Sequence, residues 1–339
     1  MNPLFILGTD TGVGKTFLAS LLFAYHEASH PGTTLYVKPF QTGVKGTPLP
    51  SDAETVHDYM SLRATKRNKT STADSSTIDK LIAKNATSST KRSLQSLNSR
   101  LLTLTSYRLP AAPHLAAAYD HKPLNNLFIE TLIEKLCKKI ADFHKNNPTE
   151  ARVIIEGSGG VLVPLTGYTS YHSDPIRTDK TNIDEPKTNE SNINDKNIDA
   201  PKANNETNIM NTTSRKNPVI NPIMLADFVR QLNKRLRVVC KNELDVVLVG
   251  KTALGTLNHT LLSCEALAKR QIPIKAIFLN DYFLHHGSEP QSSMQSPSEP
   301  DPQTLVLNDN EEFLARLTGL PVHRFKAILS QAMIRSIDF

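Results

Sequence analysis

Gly8-Thr9-Asp10-Thr11-Gly12-Val13-Gly14-Lys15-Thr16 gathers three glycines, a lysine and hydroxyl side chains into nine residues. Glycines let backbone N–H groups curl around phosphate oxygens, and a helix start behind them adds partial positive charge. Lys15 then reaches the β- and γ-phosphates, and Thr16 offers a hydroxyl to Mg2+. The strict GxxxxGK[ST] pattern fails by one residue, because Thr9 stands where its first glycine belongs and Gly8 precedes it. The expected nucleotide-binding residues are Thr11, Gly12, Val13, Gly14, Lys15 and Thr16. Asp10 occupies the position where partition-type ATPases carry a second lysine, so a dimer switch built on that lysine is not available.

Such a loop works only between a strand and a helix, and the flanking residues supply both. Leu4-Phe5-Ile6-Leu7 is a short apolar run ending in Gly8, and Phe17, Leu18, Leu21 and Leu22 follow at helical spacing. Thr34–Val37, Arg152–Ile155, Val246–Val249 and Ile274–Leu279 read as further buried strands. Leu127, Ile129, Leu132, Ile133, Leu136 and Ile140 mark an amphipathic helix, and Leu261–Leu267 another. Continuously apolar short strands alternating with helices imply a three-layer α/β fold, a mostly parallel doubly wound sheet covered on both faces. Ligands in such folds sit at the carboxyl ends of the strands.

Composition narrows the classes. The chain has 339 residues with a formal net charge of +6. Residues 63–100 carry nine basic and two acidic side chains, so the rest of the chain is close to neutral. Aromatic residues are absent from that basic segment, which argues against a base-stacking nucleic-acid platform. No run of 18 apolar residues is present, so no membrane-spanning helix is expected. The first residues lack the charged flank and long apolar stretch of a secretory signal. Cys137, Cys240 and Cys264 form no CxxC pair, and a reduced cytoplasmic protein is expected. His285-His286 has no carboxylate or third histidine at ligand spacing.

Three stretches depart from the body: 63–106, 167–222 and 285–304. Eleven Asn fall between 182 and 221, and Asn182-Ile183-Asp184-Glu185-Pro186-Lys187 recurs imperfectly at 197–202. These compositions bury too little apolar surface to offset ordering entropy. All three are expected to be loop or disordered insertions in a single domain spanning 1–339.

Further motifs carry a family resemblance. GTDTGVGKT is followed by Lys38-Pro39-Phe40-Gln41-Thr42-Gly43, Ser51-Asp52-Ala53, and Ala112-Pro113-His114-Leu115-Ala116-Ala117. After these come Glu156-Gly157-Ser158-Gly159-Gly160 with Val163-Pro164-Leu165, and Leu254-Gly255-Thr256-Leu257-Asn258-His259. In this order they resemble the dethiobiotin synthetase family of phosphate-loop proteins, over residues 1–60, 107–166 and 224–283. Ser158 stands where the family usually shows Ala.

The resemblance implies an ATP- and Mg2+-dependent ligase that closes the cyclic urea of dethiobiotin from 7,8-diaminopelargonate and CO2. On residue type alone Lys38 reads as a surface lysine and Asp52 as a helix-capping acid. The resemblance makes Lys38, Lys15 and Thr42 catalytic, and gives Mg2+ to Thr16, Asp52 and Glu156. It sets Asp52, Glu156, Gly157, Gly159 and Asn280 around the nucleotide, although Asn280 equally reads as a strand-ending turn residue. Gly319-Leu320-Pro321 would be a second adenine edge. Lys38, Thr42, Gly160, Gly255 and Asn258 would meet the substrate, the last two from the other subunit of a homodimer; Asn258 also reads as a helix N-cap. A partition-type switch and a cobyrinate-type amidating enzyme share the loop. Asp10, Lys38 and Thr42 disfavour the first, and the lack of a glutaminase segment the second.

Overall fold

A computed structural model describes residues 1–44, 50–66, 97–122, 124–167, 221–281, 302–326 and 329–338. By contacts the chain divides into two units, one of residues 1–167 and 222–339 and one of 168–221. The second unit coincides with the second expected insertion and lies, apart from Asn221, outside the described residues. Most of 63–106 and 285–304, His285-His286 included, also falls outside them.

The first unit is built on a seven-stranded sheet in the order β4-β2-β6-β1-β7-β8-β9. The strands are β1 (Leu4–Gly8), β2 (Thr34–Lys38), β4 (Leu101–Thr103), β6 (Arg152–Glu156), β7 (Asp245–Lys251), β8 (Ala276–Asn280) and β9 (Val322–Phe325), and every pairing is parallel. A separate parallel pair, β3 (Gln41–Thr42) with β5 (Ser106–Tyr107), lies just beyond the end of β2. The doubly wound parallel sheet expected from the sequence is therefore present.

Alternation along the strands sorts the core into two faces. Phe5, Leu7, Leu35, Val37, Val153 and Ile155 face one cluster, which α3 (Pro113–Tyr119), α4 (Asn126–Asn146) and α5 (Leu225–Val239) cover, with α6 (Thr256–Ala268) and α7 (Pro302–Thr318) beside them. Leu4, Ile6, Tyr36 and Ile154 face the other, under α1 (Lys15–Ser29), α2 (Asp52–Lys66) and α8 (Gln331–Ser336). The same parity puts Lys38, two residues after Tyr36, and Glu156, two after Ile154, on the α1 side. It thereby sets the two charges beside the helix that follows the phosphate loop.

Two expected boundaries need correction. α2 runs on to Lys66, and β4 and β5 occupy 101–107, so the first insertion is shorter at both ends than 63–106. β4 is a three-residue edge strand, only partly buried, and such strands leave little apolar signal. Likewise α7 begins at Pro302, inside the segment 285–304.

Phe228 of α5 links the sheet to the loop after Lys38. Its ring meets Phe5 edge-on at 6.5 Å and Phe40 at 5.2 Å, and it is fully buried. Phe228→Ala should destabilise the fold by about 3–5 kcal/mol, read from the urea midpoint with an unchanged slope.

Candidate active site

The glycine loop joins β1 to α1 as the spacing predicts. Gly12 and Gly14 hold φ of +67° and +99°, a left-handed conformation that side chains disfavour. At Gly14 a Cβ would also stand 2.1 Å from Asn280 Nδ2, so close packing adds a second requirement for glycine. Lys15 is buried and curls back so that its ammonium donates to the Asp10 carbonyl at 2.9 Å. Burial pulls this ammonium down to about 8, with Lys38 acting in the same direction.

Adjacent parallel strands end around the loop, and their last residues supply the charges. Glu156, at the end of β6, is 1% exposed. Its Oε1 accepts from Lys38 Nζ at 2.8 Å and from Thr16 Oγ1 at 2.8 Å, and its Oε2 accepts from the Tyr36 hydroxyl at 2.7 Å. Lys38 Nζ also lies 2.6 Å from Asp52 Oδ2 and donates to the Gly157 carbonyl at 3.0 Å. Burial by itself would lower Lys38, but the Glu156 and Asp52 carboxylates outweigh it and hold its ammonium above the usual lysine range. Burial raises the Glu156 carboxyl, and Lys38 offsets that only in part.

Asp52 owes its position to local sequence. Ser51 and Glu54 form a capping box: the Ser51 hydroxyl accepts from the Glu54 N–H at 3.2 Å, and the Glu54 carboxylate accepts from the Ser51 N–H at 2.6 Å. Ser51 is thus the cap, and Asp52 opens α2. The Asp52 N–H donates to Gln41 Oε1 at 3.1 Å. Gln41 is itself held by the small sheet, where its N–H donates to Thr105 O at 2.9 Å. Behind it, the Ser158 hydroxyl donates to the Phe40 carbonyl.

A cavity of about 630 Å³ opens over these groups. Thr11, Gly12, Gly14, Lys15, Thr16, Lys38, Thr42, Asp52, Glu156, Gly159 and Asn280 all line it. Val13, Gly157 and Gly160 are not in its lining. Val13 and Gly157 instead offer carbonyls to Asn280 and Lys38, while Gly160 packs against the Thr9 carbonyl. Asn280, at the end of β8, donates its amide to Val13 O at 3.1 Å and so braces the glycine loop. Gly255 and Asn258 stand at the start of α6 outside the lining, beside Leu254, which is 98% exposed. Gly319-Leu320-Pro321 is likewise outside it.

Tyr36 and Gln41 are absent from the sequence-derived set although both hold site carboxylates in place. Tyr36 had a signal: it is a phenol two residues before Lys38 on the same face of a fully buried strand. Gln41 had none, since its partner is a backbone N–H eleven residues away.

Chemically the site offers two ammonium groups, two carboxylates and several hydroxyls in one pocket. Thr16, Asp52 and Glu156 provide hard oxygen donors of the kind Mg2+ takes. A cation already bridges Asp52 and Glu156, namely the Lys38 ammonium, and this donor set fits a divalent ion. Glycine loop, buried lysine and parallel sheet together define a phosphate-loop α/β protein. The chain belongs to the AAA domain family, whose model matches residues 2–173 and 201–323. It is similar to the ATP-dependent dethiobiotin synthetase BioD of Lysinibacillus sphaericus, at 25% identity over 83% of this chain and 76% of the relative. The protein of that name from Chlorobaculum tepidum is 26% identical over 82% and 72%. The one from Halalkalibacterium halodurans is 24% identical over 91% of this chain and 90% of its own length.

The Lys15 ammonium carries charge below about 8, and a bound anion would raise that value further. Affinity for tripolyphosphate in metal-free buffer should therefore be full only well below pH 8 and fall roughly tenfold from pH 7.5 to 9.5, measured by calorimetry. In Lys15→Met the profile should be flat; an unchanged slope would place the titration elsewhere.

Proposed function

We propose that the chain is an ATP-dependent ligase of biotin synthesis, which closes the urea ring of dethiobiotin from 7,8-diaminopelargonate and CO2. The observation that carries this reading is the convergence of Lys15, Lys38, Asp52 and Glu156 on one cavity beside a phosphate loop. The relatives' names support the same reaction class.

In this reading one substrate amine attacks CO2, forms an N–C bond and sheds a proton, which leaves a carbamate. A carbamate oxygen attacks the γ-phosphorus, and the bond to ADP breaks. The second amine then attacks the carbamoyl carbon and loses a proton; the C–O bond breaks and phosphate departs. Each step develops negative charge on oxygen, so cations and N–H donors fixed beforehand do most of the catalysis.

The chain's residues divide that work. The glycine-loop N–H groups and Lys15 hold the β- and γ-phosphates, and the buried position of Lys15 keeps water from screening its charge. Lys38 faces the carbamate and the phosphoryl group, held by Glu156 and Asp52 so that it need not reorganise as charge develops. Thr42, on the rim set by the β3–β5 pair, donates to the carbamate. Thr16, Asp52 and Glu156 would hold Mg2+, which when bound neutralises charge on the phosphates. Tyr36 and Gln41 fix the two carboxylates.

Mixing the pure protein with MgATP, bicarbonate and diaminopelargonate should yield dethiobiotin by mass spectrometry. Lys38→Ala should lower kcat by at least about 10³-fold with ATP affinity within about threefold of wild type, because the lysine serves developing charge. Wild-type turnover in Lys38→Ala would remove it from the mechanism.

The same reading takes the protein as a homodimer in which Gly255 and Asn258 serve the neighbouring copy's site, consistent with their place outside their own cavity. Lys38→Ala and Asn258→Asp chains, each inactive alone, should regain about a quarter of wild-type activity on mixing, because half the dimers then hold one intact site. No recovery, with exchange of subunits verified, would assign Asn258 to its own chain.

A further inference from the structure

At the far end of α1 from the phosphate loop, His26 lies in the last turn and His30 is the residue that caps the helix. Their rings stack with centroids 4.8 Å apart. Glu150, just before β6, reaches the same spot, and its Oε2 lies 3.1 Å from His30 Nε2. One ligating atom from each of the three residues falls within 4.8 Å of the other two. We propose that His26, His30 and Glu150 form a binding site for one divalent transition-metal ion of the zinc type, which staples the end of α1 to the entry of β6.

The chemistry suits such an ion. Two imidazoles and a carboxylate are a borderline-soft set, with a fourth position left for water. At bond lengths of about 2.0–2.2 Å, neighbouring ligands of a tetrahedral ion stand roughly 3.3–3.6 Å apart, so the 3.1 Å between His30 Nε2 and Glu150 Oε2 has only to open slightly to admit one. His26 Nδ1 lies 2.9 Å from the Thr34 hydroxyl, the kind of outer partner that fixes the tautomer of a ligating imidazole. Arg152 sets a positive charge near this spot, and the Glu150 carboxylate offsets it. The side chains of His30 and Glu150 are 40% and 44% exposed, which opens a path for the ion and leaves both free to rotate inward. Eleven residues of helix separate His26 from Lys15, on the order of 16 Å along the axis, so this site is distinct from the phosphate loop.

The test uses the full chain, stripped with chelator and dialysed against Zn2+ alone at pH 7.5 with excess Mg2+ to occupy oxygen-only sites. Wild type should bind one Zn2+ per chain and gain about 3 °C in Tm. His30→Ala and Glu150→Gln should each weaken binding at least tenfold and lose the Tm gain, while tripolyphosphate affinity stays unchanged. Co2+-loaded wild type, which needs no variant, should show the intense visible bands of a four-coordinate site. No Zn2+ bound by wild type, wild-type affinity in either variant, or a weak six-coordinate Co2+ spectrum would each overturn the proposal.

Discussion

The pair formed by Lys38 and Glu156 is the constraint on which the site depends. Both side chains are almost fully buried, and they meet at 2.8 Å where two neighbouring parallel strands end. A charge removed from water costs several kcal/mol unless its partners are excellent. Here Glu156 accepts from a lysine, a threonine and a tyrosine, while Lys38 is shared by two carboxylates and a carbonyl. Breaking such a pair leaves an uncompensated buried charge, so its members cannot be exchanged one at a time without a large penalty. The arrangement is costly as a device for stability, which points to a polar pocket kept for its chemistry.

The fold makes this arrangement available cheaply in sequence terms. In a parallel sheet all strands end on one edge, so residues more than a hundred positions apart become neighbours by register alone. Val37 pairs with Ile155, and one residue further along each strand come Lys38 and Glu156. Alternation then sends Tyr36, Lys38 and Glu156 to the face occupied by α1, where Thr16 waits on the helix's first turn. The glycine loop is tied in at the same time, because Asn280 at the end of β8 donates to Val13 and fills the space beside Gly14. Four strand ends and one helix start thus share a single set of contacts.

How far the sequence reveals this differs by element. β1, β2, β6, β7 and β8 are legible because strands buried on both faces read as apolar runs with sharp ends. The edge strands β4 and β9 are not, since a strand of three or four half-buried residues carries no pattern of its own. The glycine loop is legible from local spacing, because its chemistry is contained in nine consecutive residues. Lys38, Asp52 and Glu156 become legible only together and by resemblance; each alone has an ordinary explanation, and for Asp52 that explanation fails because Ser51, not Asp52, caps α2. Tyr36 could have been found by strand parity. Gln41 could not, because its role exists only once α2 has folded back onto the β3–β5 pair.

α1 brings two unlike environments to the ends of one rigid element. Its start carries the glycine loop, whose free N–H groups and positive dipole end favour an anion. Its end carries His26 and His30, where the negative dipole end favours a cation. The helix polarity therefore agrees with the charge that each end is equipped to hold. A helix of 15 residues packed on the sheet by Leu18, Leu21 and Leu22 has no freedom to move one end without the other. Fixing its carboxyl end to β6, the strand that delivers Glu156, would tighten the relation between Thr16 and Glu156 from a distance. The two residues already meet at 2.8 Å, so such a staple would narrow fluctuations about an existing geometry and would not create a new one.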